Sequence, residues 1–189
     1  MRIGICGGMF DPFHRGHLEP VLGVRETLGW DRVLYVPAAQ QPFKSGQPAA
    51  SAYHRFAMAQ LATRDHDDVW VTALELERSG TSYTVDTLEE VRKRYEGAEF
   101  DWIIGDDNVR DFDRWKSAER LLALARFVVL TRSEAQNDVR FTYAKNDVVR
   151  VSSTEIRRRI RTGEPIDAFV DPLVSRYIHH YGLYKEDRT

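Results

Sequence analysis

Two histidines lie three residues apart in a glycine-rich stretch near the start of the chain. Residues 7–17 read G-G-M-F-D-P-F-H-R-G-H, and they include His14 and His17. The apolar run at residues 3–6 predicts a buried strand, and the apolar spacing over residues 18–28 predicts a helix. Phosphate binds backbone N–H groups at such a junction, and glycine admits an anion without a Cβ in the way. The stretch therefore predicts a nucleotide site at which both imidazoles face one anion.

Rival motifs do not fit this stretch. The pattern G-x-x-x-x-G-K-[ST] does not occur, and Gly4, Gly7 and Gly8 do not give G-x-G-x-x-G. The sequence supports a zinc site on the two histidines less well than a nucleotide site, because the chain has one cysteine and lacks further ligands at familiar spacing. The alternative without function is a tight turn followed by ordinary surface histidines.

A second stretch with phosphate-binding character begins near residue 151. Residues 151–157 read V-S-S-T-E-I-R, with hydroxyls at the predicted start of a helix and Arg157 one turn into it. Hydroxyls, unpaired N–H groups and a guanidinium together make a phosphate clamp. Ser152 with Glu155 also fits a capping box, so a capped surface helix is the alternative.

The composition bounds the class of protein. The chain has 189 residues and a formal net charge of −2, which predicts one domain spanning residues 1–189 and gives no sign of nucleic-acid or membrane binding. The lone Cys6 is expected to be a small buried hydrophobe. No signal peptide or spanning run is evident, so we expect a cytoplasmic protein. The sequence leaves the oligomeric state open, including a homo-oligomer.

Apolar periodicity predicts strands alternating with helices. The predicted strands are residues 3–6, 32–37, 69–76, 100–104, 127–131 and 148–151. The predicted helices start near residues 18, 51, 83, 115, 152 and 172. This alternation implies an α/β fold, a Rossmann-like doubly wound parallel sheet with helices on both faces. The C-terminal helical part, about 152–189, is expected to pack on the sheet domain, and residues 132–146 to form a loop or hairpin.

The first and last motifs resemble those of the HxGH nucleotidylyltransferase superfamily. Its first loop reads G-G-(S/T)-F-D-P-x-H-x-G-H, from which this chain departs at Met9, and its second signature, (I/V)-S-S-T-x-(I/L)-R, matches residues 151–157. The resemblance implies catalytic roles for His14, His17 and Arg157. It also implies that ATP is bound by Gly7, Gly8, Met9, Phe10, Gly105, Asp107, Ser152, Ser153 and Thr154.

The loop after the second predicted strand carries a partial match to another motif of these enzymes. They place P-P-H-K there, with a lysine that reaches the triphosphate, whereas this chain reads Q-P-F-K and ends at Lys44. Phenylalanine replaces the histidine, and a solvated lysine is the alternative. The resemblance also implies Mg²⁺ bound with the ATP phosphates, and no metal ligands from the protein.

The middle of the chain is similar to bacterial nicotinate-nucleotide adenylyltransferases. Residues 75–88 follow their E-x-x-R-x-G-x-S-Y-T-x-D-T-L stretch, and residues 105–115 follow G-x-D…F-x-x-W. A helix start at Tyr83 and Thr84 would offer N–H groups to the nicotinate carboxylate, and Trp115 would stack on the ring. Asp107 would bind ribose hydroxyls, or else cap the next helix.

The resemblance implies adenylyl transfer from ATP to nicotinate mononucleotide in NAD biosynthesis, giving deamido-NAD and pyrophosphate. One alternative is a pantetheine-phosphate adenylyltransferase, which shares the ATP motifs but lacks a flat charged acceptor ring. The other is a nucleotide-binding module without catalysis, against which the retained set of His14, His17, Lys44 and Arg157 argues.

Overall fold

Strands and helices alternate along the chain, as the sequence predicts. A computed structural model describes residues 1–40, 48–78, 80–131, 138–146, 149 and 151–185. Its elements are β1 (Arg2–Gly8), α1 (Arg15–Leu28), β2 (Arg32–Pro37), α2 (Ala52–Thr63), β3 (Val69–Val71), α3 (Thr84–Arg94), β4 (Glu99–Gly105), α4 (Asp106–Val109), α5 (Ala118–Leu124), β5 (Arg126–Thr131), β6 (Phe141–Lys145), α6 (Ser153–Thr162) and α7 (Pro172–His180).

The strands form one parallel sheet in the order β3-β2-β1-β4-β5-β6. The chain order reverses between β1 and β4, which pair from Arg2 opposite Glu99 to Cys6 opposite Ile103. In open α/β sheets a ligand binds outside the carboxyl ends of the strands at such a switch point. The predicted doubly wound fold is therefore confirmed, and the topology itself indicates where the site lies.

Each face of the sheet is covered by helices. Along β2, Val33 and Tyr35 belong to a core with residues of α1, α2, α6 and α7. Leu34 and Val36 point to the other face and join residues of α3 and α5. Successive strand residues alternate between the faces, which explains why the central strands are apolar without interruption. Among the described residues, none of the helices combines the length and apolar character that crossing a bilayer demands.

The third strand is shorter than its apolar alternation predicts. It ends at Val71, and residues 72–76 turn away from the sheet. The Thr72 hydroxyl accepts a hydrogen bond from the Leu74 N–H at 3.3 Å, and the Leu76 N–H donates to Ala73 O at 2.8 Å. Such local bonds compete with ladder pairing. The prediction of a strand over residues 69–76 was wrong beyond Val71.

The sixth strand lies elsewhere than predicted. β6 occupies Phe141–Lys145, inside the segment expected to be a loop or hairpin, and pairs in parallel with β5. Val149 and Val151, within the predicted strand 148–151, lie outside any strand. Phe141 packs edge-on against Phe112, with ring centroids 5.0 Å apart. This tertiary packing, together with an aromatic and β-branched composition, selects the edge strand.

Helix α5 begins at Ala118, three residues after the predicted helix start at residue 115. A 3₁₀ turn covers Phe112–Arg114, Trp115 is extended, and Ser117 has a positive φ of 58° before α5 begins at Ala118. Trp115 is therefore outside the helix and lies against the cleft described below.

Candidate active site

A cleft of about 890 Å³ opens where the carboxyl ends of β1 and β4 meet. It brings together predicted site residues from four separate parts of the sequence. The predicted residues that line it are Gly7, Gly8, Met9, Phe10, His14, His17, Tyr83, Thr84, Gly105, Asp107, Trp115, Ser152, Ser153, Thr154 and Arg157. Lys44 lies outside the described residues, and its assignment stays a prediction.

The glycine pair at the end of β1 is required by close packing. A Cβ at Gly7 would lie 2.7 Å from the Trp102 ring, and a Cβ at Gly8 would lie 2.8 Å from the Phe10 ring. Both separations are far inside van der Waals contact. Any larger residue would therefore displace the aromatic rings that form the cleft wall.

The two histidines form a stacked pair at the start of α1. Their ring centroids are 3.6 Å apart with an interplanar angle of 18°. The backbone N–H of His14 donates to His17 Nδ1 at 3.2 Å. Because Nδ1 accepts this bond, the proton of the neutral His17 ring is on Nε2. His14 is 6% exposed, and its Nδ1 has no hydrogen-bond partner among the described residues. Burial lowers the pKa of His14 to about 4, so this ring is neutral at pH 7.

Phe10 holds the loop between β1 and α1 in an unusual conformation. Its φ is 51°, in the left-handed region that costs a non-glycine residue about 1 kcal/mol or more. The ring is buried, with centroids 5.2 Å from Phe13, 5.0 Å from His17 and 5.7 Å from Tyr35. The Tyr35 hydroxyl also donates to His17 O at 2.8 Å. Aromatic packing thus maintains the backbone geometry and positions the His17 ring.

The start of α6 is hydrogen-bonded directly to the first loop. The Ser153 hydroxyl donates to Pro12 O at 3.0 Å, and Arg157 Nη1 donates to Asp11 O at 2.6 Å. The Ser152 hydroxyl accepts from the Glu155 N–H at 3.2 Å, which caps the helix as predicted. The two motifs predicted to bind phosphate are therefore joined to each other, with the positive end of α6 at the cleft.

The far end of the cleft carries the residues predicted to bind the acceptor. Tyr83 is the N-cap of α3 and Thr84 is its first residue. Trp115 is half-buried and packs on Phe112, with ring centroids 5.6 Å apart. Lys116 Nζ lies 4.5 Å above the Tyr83 ring. A helix N-terminus and an indole face thus border the same space.

Comparison with known proteins identifies the family. The cytidylyltransferase-like family model matches residues 5–159. A probable nicotinate-nucleotide adenylyltransferase from Thermus thermophilus is 42% identical, with 98% of this chain and 100% of the relative covered. One from Gemmatimonas aurantiaca is 40% identical, with 98% and 93% covered. The chain belongs to the nicotinate-nucleotide adenylyltransferase family. The resemblance predicted from the motifs is confirmed.

Solved structures of nicotinate-nucleotide adenylyltransferases share the fold. The Plasmodium falciparum nicotinic acid mononucleotide adenylyltransferase complexed with NaAD superposes with a TM-score of 0.77 at 23% identity, covering 100% of this chain and 99% of the other. A putative nicotinate-nucleotide adenylyltransferase from Vibrio parahaemolyticus gives 0.71 at 24% identity, covering 98% and 96%. These similarities support the doubly wound architecture independently of the sequence motifs.

Sequence reasoning missed a buried arginine that supports the loop between β1 and α1. Arg55 of α2 is fully buried and donates to Met9 O at 2.7 Å, Ala50 O at 3.3 Å and Ala39 O at 3.4 Å. Burial lowers the pKa of its guanidinium. Three carbonyl partners compensate the buried charge and join the segments after β1 and β2. The only sequence signal was an arginine among the alanines and apolar residues of the predicted helix.

The carboxylates that line the cleft are engaged in hydrogen bonds within the protein. Within the described ranges, no three His, Cys, Asp or Glu side chains cluster so that they could hold a metal ion. The lining carboxylates of Asp11 and Glu75 already accept hydrogen bonds from the protein, and Asp107 Oδ1 accepts from Asn108. Mg²⁺ usually keeps several waters and binds through one or two carboxylates together with substrate phosphates, which does not require a cluster of protein ligands.

Proposed function

We propose that the protein transfers the adenylyl group of ATP to nicotinate mononucleotide and releases deamido-NAD and pyrophosphate. The observation that carries the proposal is the shared cleft, in which the phosphate-binding loop and the predicted acceptor residues face one space at the switch point. The family relatives at about 40% identity are named for this activity.

The proposed reaction needs no covalent intermediate on the protein. An oxygen of the 5′-phosphate of nicotinate mononucleotide forms a bond to the α-phosphorus of ATP. The bond from that phosphorus to the bridging oxygen breaks, and its electron pair leaves with pyrophosphate. The protein contributes by aligning the reactants and neutralising the charge that develops on the leaving group.

The stacked histidines are assigned to the phosphates next to the reacting phosphorus. His14 is neutral and buried, with one ring nitrogen unpaired among the described residues. Nε2 of the neutral His17 ring is a donor, because Nδ1 accepts a hydrogen bond from the backbone N–H of His14. Preorganised N–H donors in a site sheltered from water stabilise charge more strongly than solvated ones do.

The pyrophosphate end of ATP is assigned to the cationic side chains. Arg157 Nη1 already donates to the Asp11 carbonyl, which holds the guanidinium at the cleft wall. Its planar fork suits phosphate oxygens, and Lys44 is proposed to join it at the β and γ groups. Backbone groups of Gly7, Gly8 and Phe10 and the start of α6 at residues 152–154 are proposed to complete the ATP site, with Gly105 and Asp107 near the ribose.

Magnesium is proposed to bind with the triphosphate, through phosphate oxygens and water. When bound, the ion neutralises part of the charge on the β and γ groups. At the other end of the cleft, the N–H groups at Tyr83 and Thr84 are proposed to bind the nicotinate carboxylate, and Trp115 to stack on the ring. Donors at a helix N-terminus favour an anion over a neutral group.

The test supplies the protein with ATP, Mg²⁺ and one acceptor at a time. The acceptors are nicotinate mononucleotide, nicotinamide mononucleotide and pantetheine phosphate, and chromatography measures pyrophosphate and the joined product. We expect stoichiometric pyrophosphate and deamido-NAD with nicotinate mononucleotide, and almost none with pantetheine phosphate or ATP alone. Efficient turnover of pantetheine phosphate would assign the protein to the related reaction, and nucleotide binding without turnover would make it a binding module.

A further inference from the structure

A buried carboxylate that the proposed chemistry does not use lies beside the acceptor end of the cleft. Glu75 is 5% exposed and lines the cleft together with Tyr83 and Thr84. The Thr87 hydroxyl donates to Glu75 Oε1. Thr87 lies one turn after Tyr83 and Thr84, the residues proposed to bind the nicotinate carboxylate.

Hydrogen bonds of Ser82 and Thr87 connect three segments of the chain. The Ser82 hydroxyl accepts from the Ala39 N–H at 3.1 Å, and the Ser82 N–H donates to Gln40 O at 2.8 Å, both in the segment after β2. In the first turn of α3, the Thr87 N–H donates to Tyr83 O at 3.2 Å. Glu75 itself lies in the turn after β3. The start of α3 is therefore fixed against the segment after β3 by Glu75 and against the segment after β2 by Ser82.

The charge of Glu75 argues for a geometric role. Burial raises the pKa of this carboxyl, while the hydroxyls of Thr87 and Ser82 and the nearby charges of Arg78 and Arg55 lower it. A negative charge beside a site for a carboxylate would by itself weaken binding of that carboxylate. What the side chain supplies is a strong acceptor that holds the Thr87 hydroxyl at the start of α3.

We infer that Glu75 is a positioning residue that sets the direction of the N–H donors at Tyr83 and Thr84 and thereby selects the nicotinate carboxylate. The inference rests on the proposed function. Glutamine at this position keeps the size of the side chain but replaces the carboxylate with a neutral and weaker acceptor for the Thr87 hydroxyl. The start of α3 is then held less firmly, whereas the guanidinium of Arg55 keeps its hydrogen bonds to Met9 O and Ala39 O at the ATP end of the cleft.

The experiment compares Glu75→Gln with the parent in steady-state turnover. We expect the KM for nicotinate mononucleotide to rise by roughly tenfold, in line with the loss of one hydrogen bond to a charged group, while the KM for ATP stays unchanged. The preference for nicotinate over nicotinamide mononucleotide should fall by a similar factor. A general loss of structure would move both KM values together.

Two further variants serve as matched comparisons. Glu77→Gln removes a carboxylate from the same turn, but that side chain is 65% exposed and pairs with Arg94 at 3.5 Å, so it should leave both KM values unchanged. Thr87→Val removes the partner hydroxyl and should reproduce the effect of Glu75→Gln. Because the two residues contact each other, the double variant should be no worse than either single one.

The inference is overturned if Glu75→Gln binds nicotinate mononucleotide more tightly, since that would show a purely electrostatic effect. It is also overturned if the two KM values rise in parallel, or if Thr87→Val leaves the acceptor preference intact. If Glu75→Gln does not fold, Thr87→Val and its acceptor preference decide the question. Failure of the proposed function is separate, because the parent would then not turn over nicotinate mononucleotide at all.

Discussion

The Tyr184 hydroxyl donates a hydrogen bond of 2.8 Å to Oδ1 of Asp11, a residue 173 positions earlier in the chain. The Asp11 carboxylate also accepts from the Ala49 N–H at 2.8 Å and the Ala50 N–H at 3.1 Å. Both side chains are buried, and burial raises the pKa of Tyr184. The residues after α7 therefore help to fix the first loop, whose Asp11 carbonyl in turn accepts from Arg157.

Replacing Tyr184 with phenylalanine should lower the free energy of unfolding by roughly 1 to 2 kcal/mol, because a buried acceptor loses one of its donors. Urea denaturation measures the change. Tyr53→Phe is the control, since Tyr53 is 72% exposed and the loss of its hydroxyl should leave the free energy of unfolding unchanged. Equal stability of Tyr184→Phe and the parent would show that the hydrogen bond contributes nothing to the fold.

His17→Ala should reduce kcat far more than it weakens ATP binding. The His17 imidazole is proposed to contact phosphate that gains charge as the leaving group departs, so its contribution appears mainly in the barrier. A loss on the order of a hundredfold is expected for one such donor. Turnover kinetics and ATP titration calorimetry give the two quantities. Parent-like turnover would remove His17 from the proposed mechanism.

Arg157→Ala should weaken ATP binding more than it weakens binding of nicotinate mononucleotide. The guanidinium is held at the cleft wall by Asp11 O at 2.6 Å, and its remaining N–H groups are proposed to bind the triphosphate. Arg158→Ala on the same helix is the matched control. That side chain pairs with Glu155 at 2.8 Å and Glu164 at 2.6 Å and does not line the cleft. Calorimetric affinities for ATP that are equal in Arg157→Ala and the parent would contradict the assignment.

The stability of the protein should depend on pH through His14. Its pKa is lowered to about 4 by burial, below the usual value of 6.5, so the unfolded chain binds the proton more readily. The stability that the neutral ring contributes is complete above pH 6.5, and it is lost as the pH falls from 6.5 towards 4. The slope approaches about 1.4 kcal/mol per pH unit for one proton. Urea unfolding of the parent and of His14→Gln at pH 4.5 to 7 should give a steeper dependence in the parent, whereas parallel curves would show that His14 titrates normally.

The predictions that succeeded rest on local chemistry. Helices begin directly after Ser51 and Ser152, close to the predicted starts at residues 51 and 152, and both serines accept N-cap hydrogen bonds. Strand β2 occupies the predicted residues 32–37. The phosphate motifs meet because parallel strands end at one edge of the sheet, so their convergence follows from the fold class.

The failures concern features that depend on distant partners. β6 is chosen by pairing with β5 and by the packing of Phe141 on Phe112, neither of which is visible in the weak pattern around residue 141. Glu75 and Arg55 are buried, whereas charged side chains are expected at the surface when only the sequence is known. Their compensating partners lie at distant positions that only the folded chain brings together.

The preference between two mononucleotides decides whether nicotinate mononucleotide is the acceptor. Nicotinate and nicotinamide mononucleotide differ by a carboxylate in place of an amide, and the N–H groups at Tyr83 and Thr84 are proposed to bind the anion more strongly than the amide. At saturating ATP and Mg²⁺, the ratio of kcat/KM values should favour nicotinate by on the order of a hundredfold or more. Trp115→Ala should lower both values without abolishing the ratio, because stacking serves either ring. A ratio near one, or one that favours nicotinamide, would contradict the assignment of nicotinate mononucleotide as the acceptor.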